Sequence, residues 1–267
     1  MIQSIVRAAC VAALLAIAGT LHASGPAVLR VALYDDQGAG DSLAEVAKVL
    51  AGRADIQVER IKAADIRSGR LAGFDVLIQP GGSGGAQGRR LGKEGREQVR
   101  TFIKEGGGYV GICAGAYLAT CQYDWSLGVL DAKVIDGQHW ARGYGHVDLS
   151  LSDEGRAILA IDARQRPIYY HQGPLLAPAG EPDLPDYATW ATYAGEIAEN
   201  GAPKGVMPGT TAIAAGHFGE GRVLCFSPHP EKTDGLRDVL YRGVVWSAAH
   251  PPEAALSDTA PAAAVEP

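Results

Sequence analysis

The sequence is short of several features that define whole classes of protein. It has no basic run, and its formal net charge is −6, so neither nucleic acid nor an anionic membrane is an expected partner. No histidine pair has a metal-ligand spacing such as His-x-x-x-His; His139, His146, His171 and His217 are scattered. The Gly38-x-Gly40 turn lacks the third glycine of a dinucleotide fingerprint, so no cofactor and no metal are expected. There is no internal repeat and no convincing linker. Its one strongly apolar run at the N-terminus, Cys10 to Leu21, is too short for a comfortable membrane span. Cysteine is scarce, with four in 267 residues.

What is present at the N-terminus reads as a targeting signal, residues 1–23. Arg7 supplies the positive region, the apolar run follows, and His22-Ala23-Ser24 offers small residues for cleavage. Leu21 fits the −3 position poorly, so a cut after Gly25 is an alternative, and a retained anchor is another. The short signal points to a periplasmic or secreted protein that is free of the membrane once cleaved. Cleavage removes Cys10 and leaves Cys113, Cys121 and Cys225. An odd count leaves at least one free thiol; a Cys121–Cys225 bridge stays open, because spacing does not report geometry. Residues 251–267 are rich in Ala, Pro and acid and read as a disordered tail. One domain, 24–250, is expected between these ends.

Within it, apolar runs bounded by turns predict strands at Val28–Tyr34, Ile56–Ile61, Phe74–Gln79, Tyr109–Ile112 and Arg222–Phe226. The alternation in Ile56–Ile61 places that strand near an edge. Helices are expected after Asp41 or Ser42, either able to cap, to about Gly52, over Ala63–Leu71, over Gly92–Glu105, and from Asp234 or Gly235 to about Ala249. Pro80 to Gly85 reads as a loop whose backbone can approach a ligand. Short β-like pieces at Leu127–Leu130, Lys133–Ile135, His146–Leu151, Pro167–Tyr170, Thr189–Tyr193 and Thr211–Ala215 decorate the sheet, with a helix over Ser152–Ala160 that Ser152 caps.

Two motifs carry chemistry. Gly111-x-Cys113-x-Gly115 joins a buried strand to a helix, which is the nucleophile-elbow spacing with Cys in place of Ser. Side chains at the flanking positions would clash with so tight a turn. The helix N-terminus favours the Cys113 thiolate, and the Ala114 amide points where an oxyanion would form. A buried Cys in an ordinary βα turn is the plainer alternative. Downstream stands Ser227-Pro-His-Pro-Glu231. Each proline extends the residue before it, so His229 and Glu231 project to one side. His229 is then a base for Cys113, and Glu231 orients its ring; an exposed His–Glu pair is the alternative. The pattern implies no other histidine beside His229.

Together these motifs resemble the class I glutamine amidotransferase superfamily, which pairs such an elbow with a downstream His-Pro-Glu. More closely, Gly111-Ile-Cys-Ala-Gly-Ala-Tyr117, Tyr170-His-Gln-Gly-Pro174 and Phe226-Ser-Pro-His-Pro-Glu231 look like the amidotransferase-like domain at the N-terminus of some biotin–protein ligases, also found as standalone bacterial proteins. The resemblance implies an α/β, flavodoxin-like three-layer sandwich with a mainly parallel central sheet. It implies a second oxyanion donor at Gly82 and substrate contacts at Tyr170, Gln172 and Gly173. It also implies a Cys-His-Glu enzyme acting on a C–N bond of a small or peptide-like amide. Glutamine-using members usually carry Gln after the elbow's second glycine, where this chain has Ala116. No synthase or ligase half accompanies the domain, so no protein partner is named. A binding module that keeps the fold without turnover is therefore the competing expectation. Trp125, Trp140 and Tyr144 are pocket or packing residues on this reading.

Overall fold

The computed structural model describes residues 28–249; the expected signal peptide and the tail at 251–267 lie outside them. In chain order the main elements are β1 (Leu29–Tyr34), α1 (Ser42–Leu50), β2 (Ile56–Ile61), α2 (Ala63–Arg67), β3 (Val76–Gln79), α3 (Gly84–Lys104), β4 (Gly108–Ile112) and α4 (Ala114–Ala119). Then follow β5 (Ala132–Val134), β6 (Tyr144–Leu151), α5 (Asp153–Leu159), β7 (Gln165–His171), β8 (Leu176–Pro178), β9 (Ala188–Tyr193), β10 (Thr211–Phe218), β11 (Gly221–Phe226) and α6 (Arg237–Ser247).

The main path of the sheet runs β2-β1-β3-β4-β11-β10-β9-β6-β7. Its first five strands pair in parallel and are the five expected from the sequence. β2 stands at an edge. From β11 onward the pairs are antiparallel, because Gly219 and Glu220 turn β10 directly back into β11, a connection too short for a parallel crossover. The decorating segment thus extends the parallel sheet instead of forming a layer of its own.

Alternation along each strand feeds a core on both faces. In β1, Val31 and Leu33 join a cluster with Val46, Leu240 and Val244 from α1 and α6. Ala32 and Tyr34 face the other way, into a cluster with Ile66, Val99 and Leu118 from α2, α3 and α4. Helices on both faces of one sheet give the flavodoxin-like three-layer sandwich.

Three elements differ from the sequence reading. The helix expected from Gly92 begins at Gly84, capped by Ser83 Oγ, which accepts from the Ala86 amide at 3.4 Å. Gly84 and Gly88 are poor helix formers, but they are buried against Tyr117, Leu118 and Trp125, where a side chain has no room. Gly92 (φ 68°, ψ 177°) breaks the helix at the point where the sequence suggested it starts. Leu127–Leu130 is not a strand; the amides of Leu127, Gly128 and Val129 donate to Leu118, Thr120 and Ala119 at the end of α4. The helix expected over Ala63–Leu71 ends at Arg67, and a separate 3₁₀ turn covers Arg70–Gly73.

Candidate active site

Adjacent parallel strands β3, β4 and β11 deliver their carboxyl ends to one place, where open α/β sheets bind ligands. β4 ends in the elbow. Cys113 has φ 49° and ψ −95°, a region that non-glycine residues occupy only under constraint. Its amide donates to Phe226 O of β11 at 2.8 Å, which ties the corner to the neighbouring strand. The flanking glycines are required sterically. A Cβ on Gly111 would lie 2.6 Å from Gly115 C, and one on Gly115 would collide with Gln79 O.

The segment after β11 brings His229 and Glu231 to the same point. Both are buried. His229 Nδ1 meets Glu231 Oε1 at 2.7 Å. With Nδ1 donating to the carboxylate, Nε2 is the nitrogen left for Cys113. Burial opposes charge on the imidazole, but Cys113 and Glu231 outweigh it and raise the His229 pKa from 6.5 to about 10. The expected strand-like alternation is not what sets this geometry: His229 (φ −113°, ψ 82°) leads into a 3₁₀ turn, Pro230–Lys232, and that turn places Glu231 beside the ring.

The loop after β3 closes the site. Gly81 N–H donates to Ser42 Oγ at 3.0 Å, and Ser83 N–H donates to Gly38 O at 2.8 Å. Between them, Gly82 has φ 145° and packs on the backbone of Gly38 and Gly40. Its amide has no acceptor among the described residues, and Gly82 lines the same cavity as Cys113. The Ala114 amide is at the first position of α4, where no intrahelical acceptor exists.

The cavity measures about 340 Å³. Gly82, Cys113, His171, Gln172 and His229 form one side, and Tyr117, Tyr123, Trp125 and Trp140 form an aromatic wall. Tyr123 and Trp125 stack at 4.4 Å with their planes 6° apart. Lys232 pairs with Asp41 at 2.7 Å on the rim, and this hydrogen bond holds the Asp41 carboxyl below its ordinary range.

Of the three substrate contacts expected, the structure brings only Gln172 to the cavity. Tyr170 is fully buried, donates to Gly173 O at 2.9 Å and packs edge-on against Tyr193. Gly173 sits against the Ser227 carbonyl, with no space for a side chain. These two shape the turn that presents Gln172 (φ 58°), whose carbonyl accepts from Tyr117 Oη at 3.2 Å. Ala116, at the position usually held by Gln in glutamine users, is buried and does not line the cavity. Tyr144 is exposed beside His171, their ring centres 5.3 Å apart.

Two neighbours of the site take places that the sequence left open, one of them within the Tyr170-His-Gln-Gly-Pro174 motif expected to contact substrate. His171 lies with its ring 6.3 Å from that of His229, and its carbonyl accepts from Cys113 Sγ at 3.4 Å. Burial, then the charges of His229 and Lys232, lower its pKa. The expectation of no second histidine near His229 is therefore corrected. Ser42, read as a possible helix cap, makes no cap; its hydroxyl donates to Glu231 Oε1 at 2.7 Å. The three cysteines of the described region are free, so Cys121 and Cys225 are unbridged. Among the described residues no cluster of His, Cys, Asp or Glu is arranged to hold a metal ion, and no helix is long and apolar enough to cross a membrane.

Comparison with known proteins agrees with the fold. A family model described as biotin-protein ligase, N terminal, matches residues 71–242. A search of curated proteins finds no match. Among solved structures, PurLQS from Thermotoga maritima superposes with a TM-score of 0.58 at 13% identity, over 82% of this chain and 99% of that one. A candidate GMP synthase component from Thermoplasma acidophilum gives 0.56 at 18% identity, over 81% and 92%. A ThuA-like protein from Parabacteroides merdae gives 0.55 at 12%, over 85% and 92%. At these identities the likeness is one of fold.

Proposed function

The chain belongs to the biotin–protein ligase N-terminal family, and from that membership we propose that it is an exported cysteine hydrolase or acyl transferase acting on a C–N (amide) bond. The observation that carries this reading is the 2.7 Å His229–Glu231 bond set beside a cysteine on a strained elbow. A buried, oriented imidazole next to a thiol is the arrangement that nucleophilic catalysis needs.

The steps follow from the atoms present. His229 Nε2 takes the Cys113 proton, and the thiolate attacks the amide carbonyl carbon. The amides of Ala114 and Gly82 receive the developing oxyanion. The C–N bond breaks as His229 returns its proton to the leaving nitrogen, leaving a thioester on Cys113. Water or an acceptor amine then attacks the thioester, His229 takes its proton, and the thiolate departs. Glu231 orients the ring and stabilises the imidazolium. The substrate is a small or peptide-like amide, consistent with a cavity of about 340 Å³ and its aromatic wall. Ala116 removes the usual reason to favour glutamine. Export completes the proposal: the mature chain starts near Ser24.

The test is a panel of amides, including γ-glutamyl anilides and acylated peptides, incubated with wild type and with Cys113→Ala. Release of amine and acyl product by wild type alone supports the enzyme. Binding of an amide from the panel with no turnover, unchanged in Cys113→Ala, would favour a binding module instead.

A further inference from the structure

Ser42 is the first residue of α1 and is fully buried. Its hydroxyl has one hydrogen, which goes to Glu231 Oε1 at 2.7 Å. Its oxygen accepts from Gly81 N–H at 3.0 Å. Glu231 Oε1 is the same atom that receives His229 Nδ1, and Glu231 Oε2 has no partner among the described residues. The whole hold on the carboxylate therefore falls on one oxygen with two donors. The packing is equally close: a Cβ on Gly81 would lie 2.7 Å from His229 Cε1 and 3.0 Å from Ser42 Cβ.

We propose that Ser42 is a positioning residue that locks the His229–Glu231 pair to the loop carrying the Gly82 oxyanion donor. The proposal rests on the catalytic reading above. The hydrogen bonds run in one direction, from Gly81 N–H to Ser42 and from Ser42 to Glu231, so neither end turns without breaking the chain. Gly82, one residue further, presents its amide only while the Gly81 peptide is held. Base and oxyanion donor come from different strands, and Ser42 hydrogen-bonds to both supports. Asp41 adds a second tie from the same turn to the His229 segment, through Lys232.

The experiment compares wild type with Ser42→Ala, Ser42→Thr and a control, Ser247→Ala, which removes a buried hydroxyl bonded to Val244 O. Three quantities are read: the NMR resonance of the His229 Nδ1 proton, the hydrogen-exchange rate of the Gly81 amide, and alkylation of Cys113 by iodoacetamide against pH. In Ser42→Ala the resonance moves, Gly81 exchanges about tenfold faster, as loss of a hydrogen bond near a charged group implies, and the alkylation profile changes. Ser42→Thr, which keeps the hydroxyl, recovers wild-type values, and Ser247→Ala leaves all three unchanged. If Ser42→Ala does not fold, Ser42→Cys is read in its place, with a weaker donor giving a smaller change of the same kind. A folded Ser42→Ala with an unmoved resonance and unchanged Gly81 exchange overturns the proposal. None of these readouts needs turnover, so they decide the role of Ser42 separately from whether Cys113 is catalytic.

Discussion

Exchanging Gly115 for Ala tests a backbone contact that leaves the elbow no room. Its Cβ would collide with Gln79 O, and overpacking of this kind costs about 1–3 kcal/mol. Urea unfolding of Gly115→Ala should show that loss, together with slower Cys113 alkylation. Among the proposed catalytic residues, His229→Ala should lower turnover about 10²–10⁴-fold, the range for general acid–base catalysis. Glu231→Gln should cost less, because a poorly oriented imidazole still accepts a proton. The His229→Ala, Glu231→Gln double variant should fall little below His229→Ala in initial-rate assays, since its second change acts on a broken relay. Cys113, His229 and Glu231 were readable as spacing because strand, turn and proline geometry are local. Ser42 and His171 were not. Ser42 lies 189 residues from Glu231, and nothing in its own neighbourhood distinguishes it from a helix cap.

The elements divide along the same line. Ser152→Ala should cost about 1 kcal/mol, because Ser152 Oγ accepts from Gly155 N–H at 3.1 Å as an N-cap of α5; thermal melts would register it while the site stays intact. That cap was visible from sequence. Arg142 was not. It is buried, with Nη1 on Asp136 Oδ2 at 2.9 Å, Nε on Ile197 O at 2.9 Å and Nη2 on Pro203 O at 3.1 Å. It holds the segment that carries Gly137 and Trp140 to the cavity. Arg142→Met should destabilise by about 3–5 kcal/mol, since Asp136 loses its buried partner, and should alter Trp140 fluorescence. The parallel strands announced themselves through apolar runs. The first turns of α3, Gly84 to Leu91, did not, because their glycines argue against a helix that tertiary contacts nonetheless require.

For the whole molecule, the raised His229 pKa makes stability depend on pH. The folded value, about 10, exceeds the ordinary 6.5, so the charged imidazole stabilises fully below 6.5 and the contribution disappears as pH rises through 10. The melting-temperature gap between wild type and His229→Asn should be widest near pH 6 and should close above pH 10. Thiol titration of the denatured, unreduced protein should count three thiols if the mature chain begins near Ser24, and four if Cys10 is retained; mass spectrometry of the same sample locates the N-terminus.

Sequence alone determined which five segments form the parallel strands, the elbow at Cys113 and the pairing of His229 with Glu231. Each of these follows from rules acting over a few residues: burial periodicity, glycine at a strained corner, a short proline-led turn. Only the tertiary structure decided what stands around them. It turned Tyr170 and Gly173 inward, brought His171 beside His229, and joined Ser42 to both Glu231 and Gly81. Those outcomes depend on which strands become neighbours and which faces of distant turns meet in the close-packed interior, and that is a property of the assembled sheet.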